Sequence, residues 1–274
     1  MILSTHGIVG SQIQSFVGLL DLYPSAAVAY SVRKLSSTYT GSAIRVRRSS
    51  DNTEQDIGFT ALGNLDTTAL TTFCSGTNGF VTTWYDQSGN GINATQTTAA
   101  NQPQIVSSGS VITVNSKPAI FSNDKSIANT ALSLSVPITD FFNYKINVNT
   151  GAGYQCLYDG AGPENRRGFF GLQNSNIKDV IYDGLVLDGY TSTLNQTLAT
   201  NLRNGSNSKI YKNNSLISSG SSGVYSPIIG IRFGKDNGDA TGSNVYYQEF
   251  IRYSGSSSNI SGINTNINTY YAIY

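Results

Sequence analysis

The chain has 274 residues, enough for one all-β domain or two small domains with a full hydrophobic core. Only 12% of the residues are charged, about half of the ~25% usual in soluble proteins, and 17 basic residues against 16 acidic ones leave a net charge of +1. The chain has no lysine or arginine run that would neutralise phosphates, and no apolar stretch of the ~18 residues that span a membrane, which argues against nucleic-acid binding and membrane insertion.

Residue types that often carry catalysis or bind transition metals are scarce. His6 is the only histidine, and Cys74 and Cys156 are the only cysteines. A Ser-His-Asp or Cys-His site inside the fold is therefore excluded, and so is a zinc site built from histidine and cysteine. Any catalysis would have to use carboxylates.

The first 22 residues differ from the rest of the chain. An apolar stripe at i, i+3, i+4 and i+7 predicts a short helix there. The stripe consists of Ile13, Phe16, Val17 and Leu20. This helix either packs on its own domain or docks on a partner, and we favour docking because Tyr23-Pro24 separates the segment from the body. We therefore predict an attachment and oligomerisation segment at residues 1–22 and a main domain at residues 23–274.

From residue 26 onward, short strands alternate with tight turns. Residues 43–48 alternate apolar and basic side chains, which predicts a strand with one solvent-exposed face. A short helix is predicted from Asp66, as N-cap, to Phe73, and a strand over residues 80–85 follows.

The second half of the chain continues this pattern. Hairpins are predicted over residues 111–121 and 209–217, the second around an Asn213-Asn214 turn. A strand that ends at Phe233, a return strand over residues 245–253 and a closing helix over residues 260–270 complete the chain. Many short strands and little helix predict an all-β sandwich.

Two loops are rich in oxygen-bearing side chains. The loop that starts at Asp86 begins like a calcium loop, but its twelfth position is Thr97, where an EF-hand needs a glutamate. A turn held by side-chain hydrogen bonds of Asp86 is the favoured interpretation. Asp236 and Asp239 share a second loop that could hold calcium. We otherwise predict no metal and no cofactor.

Glu249 lies on the more apolar face of its predicted strand. A carboxylate in that position has to be paired, hydrogen-bonded or protonated. The favoured interpretation is a structural acid bound to backbone amides or to an arginine such as Arg232. The alternative is a general acid with a raised pKa.

Several motifs in the chain are similar to those of a known enzyme family. The most specific is the sequence VTTWYDQSGNG at residues 81–91, and the segments 36–59, 66–74 and 234–238 add to it. Over residues 26–274 the chain resembles the catalytic domain of fungal α-L-arabinofuranosidase B. The resemblance implies a concanavalin A-like jelly-roll β-sandwich, in agreement with the predicted strands.

The resemblance also implies a pair of catalytic carboxylates. The family hydrolyses terminal arabinofuranosides with retention, by means of a nucleophile and a general acid/base. Asp236 matches the acid/base, and Asp183 is the nearest match to the nucleophile, which is a glutamate in the family. The two carboxyls of a retaining site stand ~5 Å apart, and an aspartate is one methylene shorter than a glutamate. A cysteine that the family has shortly after the position of Cys74 is also missing from this chain, where Gly79 lies near its place. We therefore lean against an enzyme.

The same module is similar to one found in tailed-phage virion proteins such as head fibres, decoration proteins and tail-associated proteins. A polar, uncharged surface and the lack of a signal peptide favour a protein that is assembled in the host cytoplasm and released by lysis. We therefore predict a virion structural protein. It would form homo-oligomers, bind other virion proteins through residues 1–22 and display a lectin-like sandwich to surface glycans.

Sugar binding is assigned to residues in and near the two loops that carry the aspartates. These residues are Asp236, Asn237, Asp239 and Tyr182. The alternative to the virion hypothesis is a retaining α-L-arabinofuranosidase-type glycoside hydrolase that uses Asp236 and Asp183. A purely architectural protein is the third possibility.

Overall fold

The computed structural model describes residues 15–148, 154–161, 167–173, 176–182, 185–191, 193–223, 227–237 and 242–274. Antiparallel strands dominate these ranges. Within the same ranges, no helix is long and apolar enough to cross a membrane.

The strands of the first half of the chain are short. They are β1 Val28–Ser31, β2 Ile44–Arg48, β3 Glu54–Ile57, β4 Gly79–Trp84, β5 Ala94–Thr95, β6 Gln104–Ser107, β7 Ser110–Val111, β8 Thr113–Val114, β9 Lys117–Pro118 and β10 Ile120–Phe121.

Longer strands follow in the second half. They are β11 Ile127–Leu134, β12 Ile138–Ile146, β13 Tyr154–Asp159, β14 Arg167–Gln173, β15 Asn176–Tyr182, β16 Val186–Thr191, β17 Thr197–Arg203, β18 Ser208–Lys212, β19 Ser215–Gly220, β20 Ile228–Phe233 and β21 Val245–Ser254. The α-helices are α1 Leu19–Leu22, α2 Thr67–Phe73 and α3 Ile260–Tyr271.

The strands form two layers. In the first layer, β21 pairs with β1 and β10 along one edge and with β12 along the other, and β17, β18 and β19 continue from β12. The second layer runs β3, β2, β4, β5, β11, β20, β13, β14, β15 and β16 in space. The layers are joined at one side, where β6 pairs with both β4 and β10.

Aromatic side chains fill the space between the layers. Phe233 of the second layer lies 5.5 Å from Trp84, 5.2 Å from Phe250 and 5.8 Å from Tyr247, measured between ring centroids. Tilted and edge-on ring pairs of this kind stabilise a core beyond the area that they bury. The predicted all-β jelly-roll sandwich is confirmed.

Several local predictions are confirmed as well. The Asp66 carboxylate caps α2 by accepting a hydrogen bond of 2.9 Å from the Ala69 N–H. Asn213 and Asn214 both adopt left-handed φ angles, 49° and 66°, as a tight hairpin turn requires.

The predicted hairpin at 111–121 is shorter than expected: only β8 and β9 pair with each other, while β7 and β10 both pair with β6.

The N-terminal segment differs from its prediction. Ile13 lies outside the described residues, and residues 15–18 are not helical. Leu19 and Leu20 start α1 as buried members of the domain core, and the Leu20 N–H donates to the Leu35 carbonyl at 2.7 Å. Phe16 is half-buried and Val17 is exposed. The described part of the segment therefore packs on its own domain; the proposed boundary at residue 22 stays a prediction.

The second half of the motif at residues 81–91 joins two strands through side-chain hydrogen bonds. The Asp86 carboxylate accepts hydrogen bonds from the backbone N–H groups of Ala29, Ser88 and Ile92 and from the Ser88 hydroxyl. The next side chain, Gln87, accepts from the Leu35 N–H and donates to two carbonyls at the end of β1. The turn held by Asp86 is therefore confirmed, and the motif fastens β4 to β1.

Glu249 is a structural acid, as favoured, but its partner is not Arg232. Its carboxylate is fully buried and accepts two hydrogen bonds from the Arg33 guanidinium, at 2.7 and 2.9 Å. The Ser31 and Tyr271 hydroxyls also donate to it. Burial acts against the charge of Arg33, but the neighbouring Glu249 carboxylate outweighs it and raises the pKa of Arg33.

Removing one member of this buried pair should destabilise the protein strongly. Arg33→Met leaves the Glu249 carboxylate buried without its cation, which should lower the free energy of unfolding by about 3–5 kcal/mol. Arg45→Ala is the matched control, because the Arg45–Asp56 pair is exposed and should contribute only about 0–1 kcal/mol. Urea denaturation measures both values, and equal losses would contradict the account.

Alkaline pH should destabilise the fold through half-buried tyrosines. Burial raises the pKa of Tyr85 to about 12 and the pKa of Tyr270 to about 12. Unfolded tyrosines ionise near pH ~10, so between pH ~10 and ~12 the folded protein binds more protons than the unfolded chain and loses stability as the pH rises. Tyr85→Phe and Tyr270→Phe should each flatten this decline in urea denaturation at a series of pH values. A decline that neither variant changes would refute the assignment.

Candidate functional site

Asp236 lies in the loop that follows β20. The loop turns at Gly234, whose φ of +86° is in the region that glycine favours, and where a Cβ atom would collide with the Lys125 carbonyl. The Ser243 N–H donates to the Gly234 carbonyl at 3.0 Å and closes the loop. The Asp236 side chain, only 3% exposed, is therefore carried on a fixed turn.

A second buried carboxylate, Asp159, holds this loop in place. Asp159 ends β13 and is paired in register with Arg232 of β20. One carboxylate oxygen accepts from the Gly160 N–H at 2.8 Å, and the other accepts from the N–H of Asn237, the residue after Asp236, at 3.0 Å. The loop after β20 thus folds back so that Asp236 comes next to the residue bound to Asp159.

Asp159 is a site residue that the sequence analysis missed. The local signal, an acid at the end of a strand followed by Gly160, is weak. Its connection to Asn237 spans 78 positions of the chain, and such a contact produces no pattern in the sequence between the two residues.

A polar cavity adjoins this region on the second layer. It has a volume of about 290 Å³, and Arg232, the register partner of Asp159, lines it. Two amide side chains in its wall are held by backbone carbonyls: Gln96 donates to Ser126 at 2.9 Å, and Asn129 donates to Asn93 at 3.0 Å. Fixed amides and a guanidinium suit a ligand that carries many hydroxyl groups.

A buried polar cluster between the two layers holds the end of β13 in place. The Tyr158 hydroxyl donates to the Asp140 carboxylate at 3.2 Å, and Arg252 binds the same carboxylate at 2.6 and 2.9 Å. Burial raises the pKa of Tyr158. Because Tyr158 belongs to the second layer and Asp140 and Arg252 to the first, the cluster fixes the position of β13, and hence of Asp159, relative to both layers.

The remaining residues predicted for sugar binding and catalysis are described only in part. Asp183 and Asp239 lie outside the described residues. Tyr182 ends β15 and is paired with Arg167 of β14. The strand on the other side of β14 is β13, whose last residue, Asp159, is paired with Arg232 of β20. The strand that leads to Asp183 therefore ends in the same part of the sheet as Asp159.

No metal site is apparent among the described residues, which contain no group of three histidine, cysteine, aspartate or glutamate side chains able to hold an ion. The calcium hypothesis for Asp236 and Asp239 stays a prediction, because Asp239 is not among them.

Replacing Asp159 should loosen the Asp236 loop. Asp159→Ala removes the acceptor of the Asn237 N–H, a hydrogen bond to a charged group worth about 1.5–3 kcal/mol. Amide hydrogen exchange at Asn237 should become faster. Asp66→Ala, which removes the N-cap of α2, is the control and should leave that exchange rate unchanged. Unaltered exchange in Asp159→Ala would contradict the role given to Asp159.

Comparisons with known proteins agree with the motifs. A family model described as "Alpha-L-arabinofuranosidase B, catalytic" matches residues 21–161. The chain is 38% identical over 96 residues to a probable α-L-arabinofuranosidase B of Aspergillus flavus and 38% identical over 96 residues to α-L-arabinofuranosidase B of Aspergillus oryzae. Each match covers 33% of this chain and 19% of the relative, so it spans about a fifth of the length of these relatives.

Solved structures show the same fold. An arabinofuranosidase complexed with arabinofuranosyl-α-1,2-xylobiose has a TM-score of 0.69 at 20% identity, covering 92% of this chain and 64% of that one. A mutant GH54 α-L-arabinofuranosidase soaked with 4-nitrophenyl α-L-arabinofuranoside has a TM-score of 0.72 at 20% identity, covering 94% and 66%.

These findings overturn the virion hypothesis. The matching family and the curated relatives are arabinofuranosidases, not fibre, decoration or tail proteins. The expected virion location, the homo-oligomer, the virion partners bound through residues 1–22 and the lectin-like display are therefore wrong, and so is the leaning against an enzyme. The role in particle attachment assigned to Ile13, Phe16, Val17 and Leu20 depended on those virion partners and is withdrawn with them.

Proposed function

Because the chain belongs to the α-L-arabinofuranosidase B catalytic-domain family, we propose that it is a glycoside hydrolase that acts on arabinofuranosyl linkages. The family match carries this proposal. Its structural support is the buried carboxylate of Asp236, held on a turn beside Asp159, whose register partner Arg232 lines a polar cavity.

In this proposal Asp236 is the general acid/base. In a retaining reaction, the acid first protonates the oxygen of the leaving group and then, as a base, activates the water that releases the sugar. Such a residue needs a fixed position relative to the glycosidic bond. The closed loop at Gly234 and the bond from the Asn237 N–H to Asp159 provide that rigidity.

Asp183 is the proposed nucleophile. A retaining site needs its second carboxyl ~5 Å from the first, on the opposite side of the bond that breaks. Asp183 follows β15. The last residue of β15, Tyr182, is paired with Arg167 of β14, and Asp159 ends the next strand, β13. That placement of the end of β15, on the same part of the second layer as Asp159, supports the assignment of Asp183.

The proposed substrate is an arabinofuranosyl group attached to a larger glycan. A structurally similar arabinofuranosidase binds arabinofuranosyl-α-1,2-xylobiose. In this chain, the amides of Gln96 and Asn129 and the guanidinium of Arg232 would contact sugar hydroxyls in the cavity. Asn237, Asp239 and Tyr182 remain proposed as further sugar-binding residues, as predicted from the sequence.

The activity is tested with 4-nitrophenyl α-L-arabinofuranoside. The protein should release nitrophenol, and Asp236→Asn should lower kcat about 10²- to 10⁴-fold, the usual contribution of a general acid/base. Asp183→Asn should abolish turnover, because it removes the group that forms the covalent intermediate. Asp56→Asn, at an exposed carboxylate paired with Arg45, is the control and should keep full activity.

Two results would overturn the proposal. One is no turnover by a folded wild-type protein, as judged by its thermal unfolding. The other is a kcat for Asp236→Asn that equals the kcat of the Asp56→Asn control.

A further inference from the structure

A cavity lies beside α3, and we call it the α3 cavity. Its volume is about 460 Å³, within the ~300–1,000 Å³ typical of ligand sites. The helix packs on the first layer through a hydrogen bond of 2.7 Å from the Thr200 hydroxyl of β17 to the Asn264 side chain. The next residue of β17, Asn201, donates to Tyr158 of the second layer, and successive side chains of a strand point to opposite faces. α3 therefore lies on the outer face of the first layer, whereas Asp236 follows a strand of the second.

One face of α3 forms part of the cavity wall. Its residues are spaced i, i+3, i+4, i+7 and i+8, as on one side of a helix. They are Gly262, Thr265, Asn266, Thr269 and Tyr270. Other parts of the wall are apolar or aromatic and come from Phe16, Val17, Tyr23 and Leu62. The α3 cavity thus combines hydrogen-bonding groups with apolar surface.

The Arg33 guanidinium has one unused nitrogen at this cavity. Arg33 lines the cavity although its side chain is only 9% exposed. Its Nε and Nη2 donate to the Glu249 carboxylate at 2.7 and 2.9 Å, so Nη1 points away from Glu249. Nη1 donates to no group within the described part of the chain. Because Glu249 already neutralises the guanidinium, Nη1 is a fixed donor suited to a neutral acceptor.

The side chain of Asn266 is a second unused group. It forms no hydrogen bond with any residue that the structure describes, and its Oδ1 is enclosed. Asn266 lies one turn of α3 before Tyr270, and the Arg33 guanidinium carbon lies 4.8 Å from the centroid of the Tyr270 ring. The amide and Nη1 are therefore neighbours of the same ring. Most enclosed polar atoms in proteins have a partner, so this pair indicates a site that a ligand completes.

The cations of the wall do not offer an open anion site. The Arg33 guanidinium is paired with Glu249, and the Lys34 ammonium donates to the Ser37 carbonyl at 3.2 Å. Lys34 also lies 5.6 Å from the centroid of the Phe16 ring. A ligand must instead accept from Nη1 and both accept from and donate to the Asn266 amide. Sugar hydroxyls do both, and the C–H groups of a sugar ring match the apolar side chains of the wall.

We propose that the α3 cavity is a second carbohydrate site, which binds a neutral sugar of a glycan. Nη1 of Arg33 donates to one sugar hydroxyl, the Asn266 amide binds another, and Val17 and Leu62 contact the C–H groups of the ring. Binding there requires no hydrolysis, so the site would hold a glycan on the first layer independently of any bond that is cleaved at Asp236.

Titration of the full, isotope-labelled chain with xylobiose, followed by NMR spectroscopy, tests this proposal. Xylobiose is neutral and lacks the arabinofuranosyl group proposed to bind beside Asp236. The amide signals of residues 262–270 should shift in a saturable manner. Asn266→Ala should weaken binding about fivefold, as expected for the loss of one neutral hydrogen bond. Because the Asn266 side chain has no partner among the described residues, this variant should stay folded.

Two threonine variants form a matched pair. Thr265 is exposed on α3 and lines the cavity, so Thr265→Trp should fill it and abolish xylobiose binding. Thr68 is exposed on α2 and does not belong to the wall, so Thr68→Trp should bind xylobiose like the wild type. Sodium acetate and inorganic phosphate, the comparison ligands, should bind at residues 262–270 more weakly than xylobiose.

Any of three results would overturn the proposal. They are unshifted signals of residues 262–270 at the highest soluble concentration of xylobiose, wild-type affinity in either Asn266→Ala or Thr265→Trp, and tighter binding of acetate or phosphate than of xylobiose, which would assign the cavity to an anion. Each readout is binding without turnover, so failure of this proposal is distinguishable from failure of the hydrolase proposal.

Discussion

Strand β21 carries buried charges of both signs, and the arrangement of both layers depends on how they are neutralised. Glu249 is bound by Arg33, which follows β1, and Arg252 is bound by Asp140 of β12. An unpaired buried charge is far more costly than a paired one. The two pairs therefore favour the observed register of β21 with β1 and β12, the strands on either side of it.

The pairing of these buried charges also affects the position of the candidate site. Asp140 accepts a hydrogen bond from Tyr158 in addition to its ion pair with Arg252, and so ties β13 of the second layer to β12 and β21 of the first. The next residue, Asp159, holds the Asp236 loop through the Asn237 N–H. A chain of short, buried polar contacts thus runs from the centre of the first layer to the carboxylate proposed to do the chemistry.

Features set by neighbouring residues were predictable from the sequence. The Asp66 cap, the Asn213-Asn214 turn and the closing helix depend on residues within a few positions, and all three are confirmed. The motif at residues 81–91 identified the family and the sandwich, although its function in the fold is structural: Asp86 and Gln87 fasten two strands.

Contacts between distant parts of the chain were not predictable in the same way. Arg33 and Glu249 are 216 positions apart, so the favoured partner, Arg232, was wrong, although the structural role of Glu249 was right. The N-terminal stripe indicated a helix that docks elsewhere, yet Leu19 and Leu20 complete the core of their own domain. The virion hypothesis relied on the composition of the chain and on the side chain of Asp183, one methylene shorter than the family's glutamate. It gave less weight to motifs that are typical of an arabinofuranosidase.

The central claim is that Asp236, positioned by Asp159, marks the place where an arabinofuranoside binds. The most direct measurement is a crystal structure of the Asp236→Asn variant soaked with 4-nitrophenyl α-L-arabinofuranoside. The account predicts the furanose ring beside residue 236, with hydroxyl contacts to the cavity that Arg232 lines. A sugar bound only at another place on the molecule, or a crystal with no sugar near residue 236 at saturating ligand, would contradict it.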